Sequence, residues 1–230
     1  MLKLKMEKSH NKQFVLLFIF ALILWLFYEL AGFAVSGGTP QIDQNIILAF
    51  RNAEDLSDPL GPKWVEEMMR DITALGGVAV LTSFTLFVTL FLLIENKPKI
   101  AALLVFAITS GMLVSFSLKY GITRPRPDLV PHGSYVYTSS FPSGHAMLSA
   151  LVYFTLAGML SYLPVRNRVK TYFYVIAIIL TFSIGVSRVY LGVHWPTDVI
   201  AGWLMGIGWA LLTLVVARFL RMNGHFSSAQ

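Results

Sequence analysis

Ser187-Arg188-Val189-Tyr190-Leu191-Gly192-Val193-His194-Trp195-Pro196-Thr197-Asp198 is a short polar interruption between two apolar runs. An unpartnered charge near lipid costs several kcal/mol, so Arg188, His194 and Asp198 in this setting are candidates for a site. Pro196 suits the first turn of a helix, where its missing N–H leaves nothing unsatisfied, so a helix is expected to open at Trp195 or Pro196. His194 and Asp198 then lie four residues apart across that turn, and the carboxylate can accept a hydrogen bond from one imidazole nitrogen. The other nitrogen is left as a nucleophile or base. The competing reading is structural: an interfacial histidine, and an aspartate that complements a helix dipole.

The 230 residues are 56% hydrophobic and 13% charged, with mean hydropathy +0.66. Soluble chains carry roughly a quarter charged residues, so this composition predicts a membrane protein. Successive apolar runs, each about 20 residues long and so able to cross a ~30 Å hydrocarbon core, predict an all-α bundle of six transmembrane helices. The expected spans are 13–35, 73–94, 100–118, 145–163, 172–187 and 197–219, within one integral-membrane domain over 1–230. Lys3, Lys5, Lys8 and Lys12 before the first run imitate a signal peptide, but the run is too long and Ser36-Gly37-Gly38 makes a poor cleavage site. An uncleaved first span is expected. The chain has no cysteine, which removes disulfides, thiolate metal sites and cysteine nucleophiles.

The net charge of +6 does not point to nucleic acid, because the basic residues sit in short clusters beside apolar segments. With a cytoplasmic N-terminus, Lys97, Lys99, Arg166, Arg168, Lys170, Arg218 and Arg221 join the four N-terminal lysines on the cytoplasmic side. Arg51, Lys63, Arg70, Lys119, Arg124, Arg126 and Arg188 fall outside. The excess predicts cytoplasmic termini. The first external connection, about 36–72, carries seven acids and apolar residues at helical spacing (Ile46, Ile47, Phe50, Trp64, Val65, Met68, Met69). Short amphipathic helices on the membrane surface are expected there.

Span parity brings the unusual residues together. Spans three and five end outside and spans four and six begin outside, so Lys119 to Pro127, Pro142-Ser143-Gly144-His145 and the 187–198 stretch share one face. Pro142 and Ser143 suit a helix start and Gly144 lets a ligand approach the backbone, where free N–H groups and the positive dipole end form an anion site. An ordinary N-cap would need no ionisable ring at His145. Each cation alone could snorkel to headgroups. Lys119, Arg126 and Arg188 together, with two histidines and two helix N-termini, match a phosphoryl group.

Lys119-(six residues)-Arg126-Pro127, Pro142-Ser143-Gly144-His145, and Ser187-Arg188-(five residues)-His194-(three residues)-Asp198 resemble, in order, the three-part signature of the type 2 phosphatidic acid phosphatase family. Within it the chain is similar to bacterial membrane enzymes of the phosphatidylglycerophosphatase B type, a group that also holds undecaprenyl pyrophosphate phosphatases. The signature covers 119–198. Of the two Arg-Pro pairs, only Arg126 has the family spacing from Lys119, and Arg124 is an additional cation.

The resemblance implies that His194 attacks phosphorus to give a phosphohistidine, with Asp198 fixing its tautomer. It implies that His145 protonates the leaving oxygen and then activates water. Lys119, Arg126, Arg188, the Ser143 hydroxyl and the Ser143 and Gly144 amides would hold the equatorial oxygens. No metal or other cofactor is expected, since the external motifs supply no carboxylate cluster suited to Mg²⁺.

The expected substrate is phosphatidylglycerophosphate in a bacterial cell membrane, with the active site extracytoplasmic. Undecaprenyl pyrophosphate and a broad lipid phosphatase activity follow. Two other classes compete. Vanadium haloperoxidases resemble these motifs but are chiefly soluble, and an anionic-lipid binding or transport protein would have no need of the His194/Asp198 pair.

Overall fold

The computed structural model describes residues 2–38, 40–161 and 165–222, with side chains described from 13 to 220 within these. They form eight helices: α1 (Leu2–Val35), α2 (Gln41–Leu48), α3 (Lys63–Ala74), α4 (Val78–Ile94), α5 (Pro98–Gly121), α6 (Gly144–Leu160), α7 (Asn167–Tyr190) and α8 (Pro196–Met222). No strand occurs among the described residues. This is the all-helical membrane fold that composition predicted.

Among the described residues, four stretches are long and apolar enough to cross a membrane: Gln13–Val35, Pro98–Gly121, Asn167–Tyr190 and Pro196–Leu220. A fifth arises if α3 and α4, bent by 48° at their junction, count as one. The predicted span at 73–94 therefore differs in form from what is observed. Its first residues belong to α3, and the chain breaks at Leu75-Gly76-Gly77 before α4 begins. Two adjacent glycines are poor helix formers and tolerate the bend. Two short helices, α2 and α3, precede that break.

Helix α6, only 17 residues long, is the centre. Nearly all of it from Ala146 to Met159 is buried, because α4, α5, α7 and α8 surround it. Lipid cannot supply a hydrophobic drive between helices, so close backbone approach matters. Gly202 and Gly206 of α8 provide it: an added Cβ would run into the backbone of Ser143, just before α6, or of Met147 in its first turn. Helix α1 lies against the opposite side of α8, near Gly208. This central pairing of α6 and α8 sets the two helix N-termini that carry His145 and Asp198 side by side.

Candidate active site

The turn between α7 and α8 is made by local backbone rules. Gly192 has φ 68°, a left-handed value that glycine adopts without strain. Its N–H donates to the Val189 carbonyl at 2.9 Å, and the Val193 N–H donates to that of Arg188 at 3.2 Å. This is the Schellman pattern, which satisfies the last carbonyls of α7 and turns the chain back. His194 follows at once. Pro196 opens α8 as the sequence predicts, and Asp198 in its first turn accepts the Trp195 N–H at 3.0 Å, as a capping-box acid does.

His194 is 2% exposed and Asp198 is fully buried. Their Nδ1···Oδ2 separation is 3.5 Å, longer than a full hydrogen bond, and Nδ1 has no other partner among the described residues. On the far side of the ring, Arg126 Nη1 lies 3.3 Å from Nε2. Arg126 is steered there by backbone carbonyls: its Nε donates to Thr138 at 3.0 Å and its Nη1 to Val193 at 2.6 Å. Burial pushes the His194 imidazole down to about 3; Arg188 and Arg126 add to the fall, and Asp198 opposes it. At 3.5 Å that opposition does not reverse the direction. The ring is neutral at physiological pH.

Lys119, in the last turn of α5, donates to the Ser139 carbonyl at 3.0 Å, and its Cε lies against Gly144, where an added Cβ would sit 3.0 Å away. Arg188, 2% exposed in the last turn of α7, donates to the Thr73 hydroxyl at 2.8 Å, and its Nε has no partner among the described residues. Lys119, Arg126 and Arg188 are within electrostatic range of one another and of His145. Gly76, at the α3–α4 break, faces the His145 ring.

Ser143 stands before α6 but makes no side-chain capping bond, and its buried Oγ is without a partner among the described residues. One expectation is corrected here. The Ser143 amide is not free for a ligand, because it donates to the Asp198 carbonyl at 3.0 Å. That bond ties the start of α6 to the start of α8, which leaves the Gly144 amide at the first helical position, where no intrahelical acceptor exists.

An unsatisfied buried polar group costs about 1–3 kcal/mol. Arg188 Nε and Ser143 Oγ are both in that state, beside Lys119 and Arg126. Such a set is suited to an anion with several oxygens.

Three features were not legible in the sequence. Asp43 of α2 is fully buried and reaches the start of α8, Arg124 binds carboxylates, and Thr73 holds Arg188. Motif spacing separates Arg126 from Arg124, but nothing local in the sequence marks Asp43 or Thr73.

Residues 100–222, more than half of the chain, match the PAP2 superfamily. The chain belongs to that family. Among PAP2 proteins it is 36% identical over 147 residues to phosphatidylglycerophosphatase B of Bacillus subtilis (strain 168), covering 63% of this chain and 71% of that one. An undecaprenyl-diphosphatase from Sulfolobus acidocaldarius is 31% identical over 122 residues, which cover 51% of this chain and 55% of the relative. The fold is similar to the crystal structure of a transmembrane PAP2-type phosphatidylglycerolphosphate phosphatase from Bacillus subtilis, with TM-score 0.73 and 28% identity. That likeness covers 92% of this chain and 98% of the other. The expectation of a multi-pass membrane lipid phosphatase agrees with these relatives.

Proposed function

We propose that the chain, as a single membrane phosphatase domain, removes the terminal phosphate of a membrane lipid, with phosphatidylglycerophosphate as the preferred substrate and phosphatidylglycerol as product. The observation that carries this reading is the pairing of the His194 Nε2 with Arg126 beside Lys119 and Arg188. A phosphate at those cations meets a neutral imidazole.

In the proposed reaction Nε2 donates its lone pair to phosphorus as the P–O bond to the lipid breaks. The bound phosphate anion offsets the three cations so that His145 can carry a proton, which it delivers to the leaving oxygen, and the product is a lipid alcohol and a phosphohistidine. Asp198 balances the positive ring that forms. His145, now unprotonated, takes a proton from water as that water attacks phosphorus, which releases inorganic phosphate and restores His194. The three cations, the Ser143 hydroxyl and the Gly144 amide hold the equatorial oxygens where charge spreads. Each part is a group of this chain, and the scheme needs no metal.

A lipid is favoured over a soluble ester by the surroundings. A cleft of about 610 Å³ opens beside Lys119, lined by Phe116, Tyr120 and Tyr137 among others. Its aromatic walls suit acyl or prenyl chains. Each buried methylene contributes about 0.8 kcal/mol, so the bilayer itself concentrates long-chain substrate at this depth. We further assign six spans, with α4 and the short α6 completing the set, α2 and α3 lying along the outer surface, both termini cytoplasmic and the site extracytoplasmic in a bacterial cell membrane. The distribution of lysine and arginine supports that orientation.

The test is kcat/KM in mixed micelles for phosphatidylglycerophosphate, undecaprenyl pyrophosphate, phosphatidic acid and glycerol 3-phosphate. Lipids should exceed glycerol 3-phosphate by at least ~10²-fold, as chain burial of this size predicts. Equal turnover of the soluble ester would sink the lipid reading, and preference for undecaprenyl pyrophosphate would replace the first-ranked substrate.

A further inference from the structure

Arg124 is the cation that the motif spacing leaves over, and it is 4% exposed. Its Nη1 donates to Asp198 Oδ1 at 2.5 Å and to the Thr197 hydroxyl at 2.8 Å. Its Nη2 donates to Asp43 Oδ2 at 3.3 Å and to the Gly38 carbonyl at 3.2 Å. Asp43, fully buried, also accepts the Thr197 N–H at 3.0 Å and the Thr197 hydroxyl at 2.5 Å. The first external segment thus delivers a carboxylate to the N-terminus of α8, one residue from Asp198.

Two consequences follow from this arrangement. The first concerns direction. Asp198 Oδ2 receives the Ser140 hydroxyl at 2.5 Å and the Trp195 amide, while Oδ1 receives Arg124. With both oxygens held, the carboxylate cannot rotate Oδ2 away from His194. The second concerns charge. One guanidinium lies between two carboxylates, so the cluster retains one negative charge in a low-dielectric setting, where charges act strongly. Were Asp43 absent, Arg124 would neutralise Asp198 by itself, and the His194 ring would lose its counter-charge at the moment it becomes positive.

We propose that Arg124 and Asp43 are positioning residues for the His194–Asp198 pair: Arg124 fixes the Asp198 carboxylate, and Asp43 shares the guanidinium so that Asp198 keeps its charge for the phosphorylated ring. This rests on the reading of His194 as nucleophile. Both terminal nitrogens of Arg124 and both carboxylate oxygens of Asp43 are engaged within the cluster, so the effect falls on the chemical step.

The experiment is a set of cycles in the full-length chain. Arg124→Gln, Arg124→Lys and Asp43→Asn are made alone and on the Asp198→Asn background. Steady-state kinetics, single-turnover phosphoenzyme formation and orthovanadate binding are measured on each. Alone, Arg124→Gln and Asp43→Asn should lower kcat and the rate of phosphoenzyme formation by about 10–100-fold with KM and vanadate affinity within about threefold, and on the Asp198→Asn background they should add less than about threefold. Arg124→Lys, which keeps the charge but not the fork, should fall between Arg124→Gln and the parent.

Losses that multiply fully on the Asp198→Asn background, or that appear in KM instead of kcat, would overturn the proposal; so would an Asp43→Asn variant with parental kcat. If Arg124→Gln does not fold, the nearly isosteric Asp43→Asn carries the same cycle, and failure of both to fold would reduce the cluster to scaffold. An inactive His194→Ala with fully multiplicative cycles removes only this inference, whereas a normally active His194→Ala removes the nucleophile reading beneath it.

Discussion

Arg126 Nη1 lies 3.3 Å from His194 Nε2, and this contact sets the tautomer of the imidazole. A guanidinium has no acceptor, so Nε2 must present its lone pair and the ring proton must sit on Nδ1, toward Asp198. The resting arrangement is therefore the one a phosphorus nucleophile needs. An incoming phosphate oxygen that draws Arg126 away from Nε2 would free the lone pair as the substrate binds.

His194→Ala is expected to abolish turnover and acid-labile phosphoenzyme together. Asp198→Asn should leave the helices intact and slow phosphoenzyme formation by about 10²–10⁴-fold, the cost of a misoriented imidazole in related triads. Circular dichroism checks the first part and rapid-quench labelling the second. Parental phosphoenzyme levels in His194→Ala would assign the nucleophile elsewhere.

Thr73→Val tests the support of Arg188 from outside the motifs. It deletes the hydroxyl that accepts from Nη1 while keeping the shape of the side chain. A buried hydrogen bond to a charged group contributes about 1.5–3 kcal/mol, so orthovanadate affinity should weaken by roughly 10–100-fold as Arg188 loses its aim. Unchanged affinity would mean that Arg188 is held without Thr73.

Gly76→Ala addresses His145. A Cβ there would press on the Ile184 side chain and lie 3.3 Å from the His145 ring, so the ring must shift. Protonation of the leaving oxygen should suffer, and the loss should be several-fold larger for a lipid ester than for p-nitrophenyl phosphate, whose leaving group needs little protonation. Equal losses on both substrates would point instead to general unfolding of the α3–α4 junction.

The neutral, buried His194 makes stability depend on pH. Its folded value is about 3, below the ordinary 6.5, so between those values the unfolded chain binds the extra proton. Stability is then fully present above about pH 6.5 and is lost as pH falls toward 3, with a slope from this group of at most ~1.4 kcal/mol per pH unit. Melting temperatures in detergent should show His194→Asn losing less than the parent between pH 6.5 and 4. Parallel curves would contradict the depressed value.

Orientation is open to direct labelling. Single cysteines at Lys97 and Arg168 should resist a membrane-impermeant thiol reagent in intact cells, since the chain has no cysteine of its own to confuse the signal. A cysteine in the 130–137 segment should react. The reverse pattern would invert the membrane topology.

What was legible in the sequence was whatever depends on local spacing and on bulk composition. Apolar runs dictate helices because a backbone in lipid must satisfy its own hydrogen bonds. Pro196 marked the start of α8, and motif spacing singled out Lys119, Arg126, Ser143, His145, Arg188, His194 and Asp198 as one set. The tertiary structure decided the rest, through contacts between residues far apart in the chain. Asp43 and Arg124 are separated by 81 positions and Thr73 and Arg188 by 115, and no local pattern encodes those pairs. The division of labour between Arg124 and Arg126 has the same origin: two residues apart on an extended segment, one meets the carboxylates at the start of α8 and the other the imidazole of His194. Burial forces each charged group to find a partner, but only the packing of α2 and α3 against the ends of α7 and α8 determines which partner it finds.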